Sequence, residues 1–267
     1  MPELAEVEYM RKRWNPGLAK AVERVLLHPA AGVFRGCDVA LLCKKLTGAT
    51  LRTSEAAAKQ MLFRFSGDSW LGIHLGMTGE LSVQPADFAP RKQDHLVLRQ
   101  RNRSLVFSDH RMFGRIQFSI GPTAPAWWTS IAPTILSEEF TVDAVAAFLR
   151  RRSRSPIKAV LLMQERFPGI GNWMADEILW RSAIHPKQPA GSLAKGEIKT
   201  LHRECRWVCR QALKTIGETF ADPPKSWLFP HRWEDGGRCP KTGSKLVRET
   251  IGGRTTCWSP ARQRLIC

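Results

Sequence analysis

The stretch Phe167–Trp180, FPGIGNWMADEILW, decides how the second half of this 267-residue chain folds. Pro168, Gly169 and Gly171 call for a tight turn, since proline presets one backbone angle and glycine tolerates angles other residues avoid. A new helix follows from Asn172, with Asp176 and Glu177 in its first turns. Upstream, SPIKAVLLMQ puts Ser155 at an N-cap and Pro156 at the first helical position, with Ile157, Val160 and Leu161 on one face. The order is therefore helix, glycine turn, helix. A helix that begins at such a turn points free backbone amides outward, and amides at a helix N-terminus bind phosphate.

Outward from this turn the texture stays helical. FTVDAVAAFLRRR places Val142, Val145, Ala146 and Leu149 at helical spacing, and another helix is expected over 195–214. Cys205 and Cys209, one helical turn apart, are expected to pack. RRRSRS (150–155) is the only charge run, and its closeness to the glycine turn suggests a phosphate contact. The Pro-rich PTAPAWWTSIAPT (122–134) reads as a boundary. Before it lie QMLFRF (60–65), WLGIHLGM (70–77), HLVLRQ (95–100), SLVFSD (104–109) and RIQFSI (115–120), rich in β-branched and aromatic residues and separated mostly by Gly, Asn, Asp or Pro. They predict an antiparallel sandwich or barrel. A helix is expected from Glu3 through Lys20, broken or kinked at Pro16.

Composition narrows the partners. Hydrophobic residues make up 43% of the chain, enough for a packed core. There are 41 Lys+Arg against 24 Asp+Glu, a formal charge of +17. Such an excess attracts polyanions, so nucleic acid is favoured over a merely basic soluble enzyme. No window has the ~18 uncharged apolar residues of a membrane span. The start, interrupted by Glu3, Glu6 and Glu8, does not read as a signal peptide. Seven cysteines without short paired spacing point to reduced thiols and a cytoplasmic location.

Two loop-like stretches at strand ends, HLGMTG (74–79) and SDHRMFGR (108–115), each place a bulky side chain near glycines. These are Met77 and Phe113, the latter accompanied by Arg111. Core packing is the ordinary explanation for a lone Met or Phe. An apolar wedge beside an arginine is also what a base-flipping protein needs to fill the gap left by an extruded nucleotide.

Taken together, these pieces resemble the formamidopyrimidine-DNA glycosylase/endonuclease VIII family of base-excision repair enzymes. The matching segments run in family order: PELAEVE at the start, Lys59 in SEAAAKQML, HLGMTG, the D-x-R-x-F-G of DHRMFG, the turn GIGN, IHP (184–186) and a hairpin-like tail. The PELxEVE start points to the formamidopyrimidine branch. The resemblance implies an α+β multidomain fold: an N-terminal helix plus antiparallel β-sandwich over 1–134, a helix-two-turn-helix domain over 135–225, and a zinc-finger-like β-hairpin over 226–267.

The resemblance also implies roles. Removal of Met1 would free the secondary amine of Pro2, the nucleophile. An α-amino group has a pKa of about 7.7–8.0 against about 10.4 for lysine, so a useful neutral fraction exists near pH 7. Attack on a sugar C1′ gives an iminium that cannot lose an N–H proton and so serves as an electron sink for elimination. Glu3 matches the general acid/base, Glu6 a second acid near the amine, and Lys59 a lysine on lesion-side phosphate whose charge disfavours a protonated Pro2. His74, in HLGMTG, falls in the DNA-binding set. Met77, Arg111 and Phe113 match void-filling residues. Asn172 and Arg254 match residues on backbone phosphate. The implied partner is double-stranded DNA containing damaged bases or abasic sites, acted on by a monomer with no cofactor. A non-catalytic damaged-DNA-binding protein on the same scaffold is the alternative; an RNA-binding module would call for stacking platforms that are not evident.

The sequence departs from the family twice. The family's four zinc positions fall on Cys239, Thr242, Ser259 and Arg262, of which one is a thiol, whereas a structural zinc wants four N/S ligands. A zincless finger is expected, packed by Leu246, Val247 and Trp258, with a metal held by Cys239 and Cys257 as the alternative. The region from Gly217 to Arg238 is short and Pro-containing where the branch carries a longer Gly-rich lid, so 8-oxoguanine is expected to be a poor substrate. Met112 stands where the family has a second arginine.

Overall fold

The computed structural model describes residues 2–265. The chain divides into two units, one made of Pro2 with Glu6–Ile131, the other of Glu3–Ala5 with the residues from Ala132 onward. The division falls three residues before the expected 134. The segment 226–267, read as a domain of its own, belongs to the second unit.

Helix α1 (Leu4–Lys12), in the first unit from Glu6 on, leads to strand β1 (Arg24–Leu27), helix α2 (Val39–Leu46) and seven further strands. These are β2 (Leu51–Ala57), β3 (Gln60–Phe65), β4 (Ser69–His74), β5 (Gly79–Gln84), β6 (Asp94–Gln100), β7 (Arg103–Asp109) and β8 (Arg115–Ile120). They form two four-stranded antiparallel sheets, ordered β1-β6-β7-β5 and β2-β3-β4-β8. Side chains alternate faces along a strand, so Leu96 and Leu98, Leu105 and Phe107, Met61, Phe63 and Phe65, and Leu71 and Ile73 converge on one core with Trp14, Leu42 and Leu46. This is the expected sandwich.

The helix expected to reach Lys20 stops at Lys12, and Asn15–Gly17 is a single 3-10 turn. The reason is Pro16 itself: it has no N–H to donate to the Lys12 carbonyl and its ring would crowd that carbonyl, so an α-helix cannot run through it. Gly17 is then pressed against the core, where a Cβ would lie 2.7 Å from Leu105 Cδ1.

A short helix α3 (Ala126–Thr129) ends the first unit, and the remaining helices belong to the second. Helices α4 (Val142–Arg151), α5 (Ile157–Leu161), α6 (Asn172–Ser182), α7 (Lys195–Lys214) and α8 (Ile216–Thr219) follow, then the hairpin of β9 (Val247–Ile251) and β10 (Arg254–Trp258). Thr141 caps α4 by accepting the Ala144 N–H at 3.1 Å. Ser155 does not cap α5; Pro156 takes that position and offers no side-chain cap. One core gathers Val145, Phe148, Leu149, Ile157, Val160, Ile178, Leu179, Leu201, Cys205 and Cys209, so the two cysteines pack as expected. A smaller cluster joins Trp180 of α6 and Leu228 to Cys239, Leu246 and Cys257 of the hairpin region. Among the described residues no helix is long and apolar enough to cross a membrane.

Candidate active site and DNA interface

The glycine turn does not leave its amides free. Gly171 N–H and Met174 N–H donate to Glu3 Oε2 at 2.9 and 3.1 Å, and Trp173 N–H donates to Glu3 Oε1 at 2.9 Å. The expectation of outward-facing phosphate donors is thereby corrected: the anion at the start of α6 is the chain's own carboxylate. A helix N-terminus with unsatisfied N–H groups favours negative charge, and Glu3, 2% exposed, supplies it. The neighbouring Leu4 N–H donates to Gly169 C=O at 3.1 Å and Ala5 is buried in the helical core, so the N-terminal residues are tied to the turn by backbone as well as side chain. Gly171 leaves the carboxyl its room, since a Cβ there would overlap it.

Pro2 is half-buried, as is Glu6 in the first turn of α1. Met1 lies outside the described residues. Lys59, half-buried, occupies the turn between β2 and β3. The register of β3 and β4 pairs Gln60 with His74, which sets Lys59 beside the end of β4. His74 accepts the Gly76 N–H on Nδ1 at 3.1 Å, which leaves its proton on Nε2. Burial pushes the His74 pKa down, and the charges of Lys59 and Arg35 push it further, so the ring is neutral at pH 7.

The two loops HLGMTG (74–79) and SDHRMFGR (108–115) share one staple. Asp109 is fully buried; its Oδ1 accepts Thr78 Oγ1–H at 2.6 Å and Arg111 N–H at 3.1 Å, and its Oδ2 accepts Gly114 N–H at 2.7 Å. Gly76, at a left-handed φ of +63°, lets the loops nest, because a Cβ there would overlap the Phe113 carbonyl. The outcome is a rim of exposed apolar side chains: Met77 at 42%, Met112 at 46% and Phe113 at 50%. Arg111 lies over the Phe113 ring at 4.6 Å. Side chains this exposed are not packed in the core, so the ordinary explanation for Met77 and Phe113 does not hold.

Asn172 donates through Nδ2 to Thr255 C=O at 2.8 Å, so one of its two amide hydrogens is spent inside the protein. Arg254 is exposed at the start of β10. Of the charge run, Arg151 and Arg152 lie over Phe148 and Arg152 pairs with Glu165, while Arg150 and Arg154 face solvent.

The four positions of the family's zinc do not fit that ion. Cys239 Sγ accepts the Trp180 indole N–H at 3.4 Å, Thr242 and Ser259 hydroxyls hydrogen-bond Ser244, and the Arg262 guanidinium donates to Trp180 C=O. A guanidinium cannot ligate a metal and two hydroxyls are poor zinc ligands. Burial raises the Cys239 pKa, but hydrogen bonds from Thr242, Trp180 and Ser259 outweigh it and bring the thiol down to about 7.

Sequence reasoning missed a buried ion cluster. Lys158 and Asp176 pair with both side chains fully buried, and Arg232 donates to the other Asp176 oxygen at 2.6 Å. The only sequence signal was a lysine in the apolar face of SPIKAVLLMQ.

The chain pairs an antiparallel sandwich with a helical unit in which Glu3 caps the helix after the glycine turn, and its class follows from comparison with known proteins. The formamidopyrimidine-DNA glycosylase N-terminal domain matches residues 1–116 and the formamidopyrimidine-DNA glycosylase H2TH domain matches residues 131–222. A formamidopyrimidine-DNA glycosylase of Roseiflexus sp. is 38% identical over 216 residues, covering 78% of this chain and 79% of the relative. That of Laribacter hongkongensis is 32% identical over 275 residues, covering 99% and 100%. The Lactococcus lactis enzyme bound non-covalently to DNA containing an AP site superposes with a TM-score of 0.86 at 25% identity, over 98% of this chain and 99% of that one. The chain belongs to the formamidopyrimidine-DNA glycosylase family. It is a DNA glycosylase of base excision repair, and DNA is its partner.

Proposed function

We propose that this chain is a bifunctional glycosylase/AP lyase of the cytoplasm that excises ring-opened or oxidised bases through a Schiff base to Pro2. The observation that carries the reading is Glu3. A buried carboxylate, adjacent in sequence to the amine and gripped by three backbone N–H groups, is a proton carrier of fixed position. The Pro2 nitrogen lone pair attacks C1′ and the base departs with the C1′–N bond electrons. The departing base takes a proton from water. The Glu3 carboxylate accepts the proton that the Pro2 nitrogen sheds once its bond to C1′ has formed and delivers it to the ring oxygen as the sugar opens, giving the iminium. Loss of a C2′ proton then expels the 3′ phosphate, and a second elimination expels the 5′ phosphate. Lys59, neutral His74 through Nε2–H, the second amide hydrogen of Asn172, and Arg254 grip phosphates. Met77, Arg111 and Phe113 fill the vacated stack. The finger folds without metal, and the short segment after α8 makes 8-oxoguanine a poor substrate.

Borohydride trapping on abasic-site DNA tests the chemistry. The wild-type protein with Met1 removed forms the covalent adduct, Pro2→Gly forms far less, and Glu3→Gln loses base excision. Wild-type rates in both variants would overturn the assignment, and no adduct from matured protein would leave the non-catalytic damage binder. Efficient 8-oxoguanine excision opposite cytosine would overturn the substrate reading alone.

A further inference from the structure

Asp176 is 1% exposed and each of its oxygens is committed. Oδ1 accepts Lys158 Nζ. Oδ2 accepts Arg232 Nη2 at 2.6 Å and Nε at 3.2 Å, and the backbone N–H of Cys257 at 3.0 Å. Lys158 also donates to Asn172 C=O at 2.7 Å. One turn earlier on α6, Asn172 Nδ2 donates to Thr255 C=O at 2.8 Å.

These bonds form two rungs between helix and strand. Residues 172 and 176 are separated by about 6 Å of helix rise. Residues 255 and 257 are separated by about 6.8 Å of strand. The spacings match, so a helix edge zips onto the backbone edge of β10 without either distorting. Arg254 precedes the first rung by one residue. With the Thr255 rung alone, β10 could pivot about that point and swing Arg254; the Asp176–Cys257 rung removes the pivot. Arg232 brings the segment after α8 to the same carboxylate.

We infer that Asp176 is a positioning residue for DNA: it fixes the register of β10 on α6 and so sets the spacing between the phosphates held by Asn172 and Arg254. This rests on the proposal that those two residues hold phosphate. A carboxylate with four donors is a poor choice for stability alone, since buried ion clusters are commonly replaceable by apolar residues at no loss. It is a good choice where register matters.

The test is binding to duplex DNA with a stable abasic analogue, measured across a salt series for wild type, Arg254→Ala, Asp176→Asn and the double variant, each checked for a cooperative melt. Arg254→Ala should lower the slope of log K against log salt by about 1. Asp176→Asn should lower it by the same amount and weaken binding about tenfold, and the double variant should lie within about twofold of Asp176→Asn, because coupled sites are not additive. Asp176→Glu, which keeps the charge but moves the carboxylate off the Cys257 N–H by one methylene, carries the same expectation if Asp176→Asn fails to fold. A folded variant with wild-type slope, onto which Arg254→Ala adds its full effect, overturns the inference. An unchanged slope in Arg254→Ala itself overturns the phosphate assignment, and this inference with it.

Discussion

At the scale of single residues, Gly171 offers the sharpest probe of Glu3. Its φ is −124°, an ordinary extended angle, so alanine there adds no backbone strain. What it adds is a methyl group where the Glu3 carboxyl now lies. Gly171→Ala should lower base excision by about 10²-fold or more, the scale of a lost general acid, while thermal melting stays cooperative; normal excision by the folded variant would show that the capped carboxylate is not the proton carrier. Glu177 answers a different question. Burial raises its pKa from 4.5 to about 7 despite Arg181 Nε at 2.8 Å and the Phe229 N–H at 3.1 Å. A carboxylate with a raised folded pKa contributes stability below pH 4.5 that is lost as pH rises through 7. The wild-type melting temperature should therefore fall between pH 4.5 and 7 by more than that of Glu177→Gln, and parallel curves would refute the buried ionisation.

At the scale of elements, legibility followed hydrophobic pattern. β3, β6, β7 and β8 alternate or run apolar, and each lay within a residue of its expected bounds. β2, LRTSEAA, buries only Leu51 fully and carries no such pattern, so pairing with β3 makes it a strand rather than its own side chains. Met77 and Phe113 were legible as bulky side chains near glycines, but the Asp109 staple beneath them reaches Thr78, 31 positions away, and could not be read along the chain. Glu3 was legible as an acid; its cap on α6 spans 168 positions or more, and no local spacing encodes that. The finger was read from what its residues cannot do. Trp180, Leu228, Cys239, Leu246 and Cys257 bury against one another, and each large apolar side chain so buried contributes about 1.5–3 kcal/mol. A chelator should accordingly leave the melting temperature and DNA binding unchanged and elemental analysis should find no stoichiometric zinc; a chelator-dependent loss of fold would restore a metal to the hairpin.

At the scale of the whole molecule, charge and chemistry separate cleanly. A formal charge of +17 acts on the polyanion as a field, whereas the proposed bond breaking rests on Pro2 and Glu3, and Glu3 is bonded to backbone amides rather than exposed to ions. Each phosphate neutralised by lysine or arginine releases counterion on binding, so log K falls by roughly 0.9 per contact per decade of salt. The candidates for such contacts are cationic side chains spread over both units: Lys59 and Arg111 in the first, Arg150, Arg154 and Arg254 in the second. Should about six phosphates be met in all, raising salt from about 50 to 200 mM would weaken binding by roughly 10³-fold. Single-turnover excision of a ring-opened lesion should respond in one parameter only: the concentration giving half-maximal rate should rise by that order, while the rate at saturating enzyme stays within about twofold. A saturating rate that collapses with salt would place a screened, solvent-exposed charge in the chemical step, which a carboxylate held inside the helix cap is built to avoid.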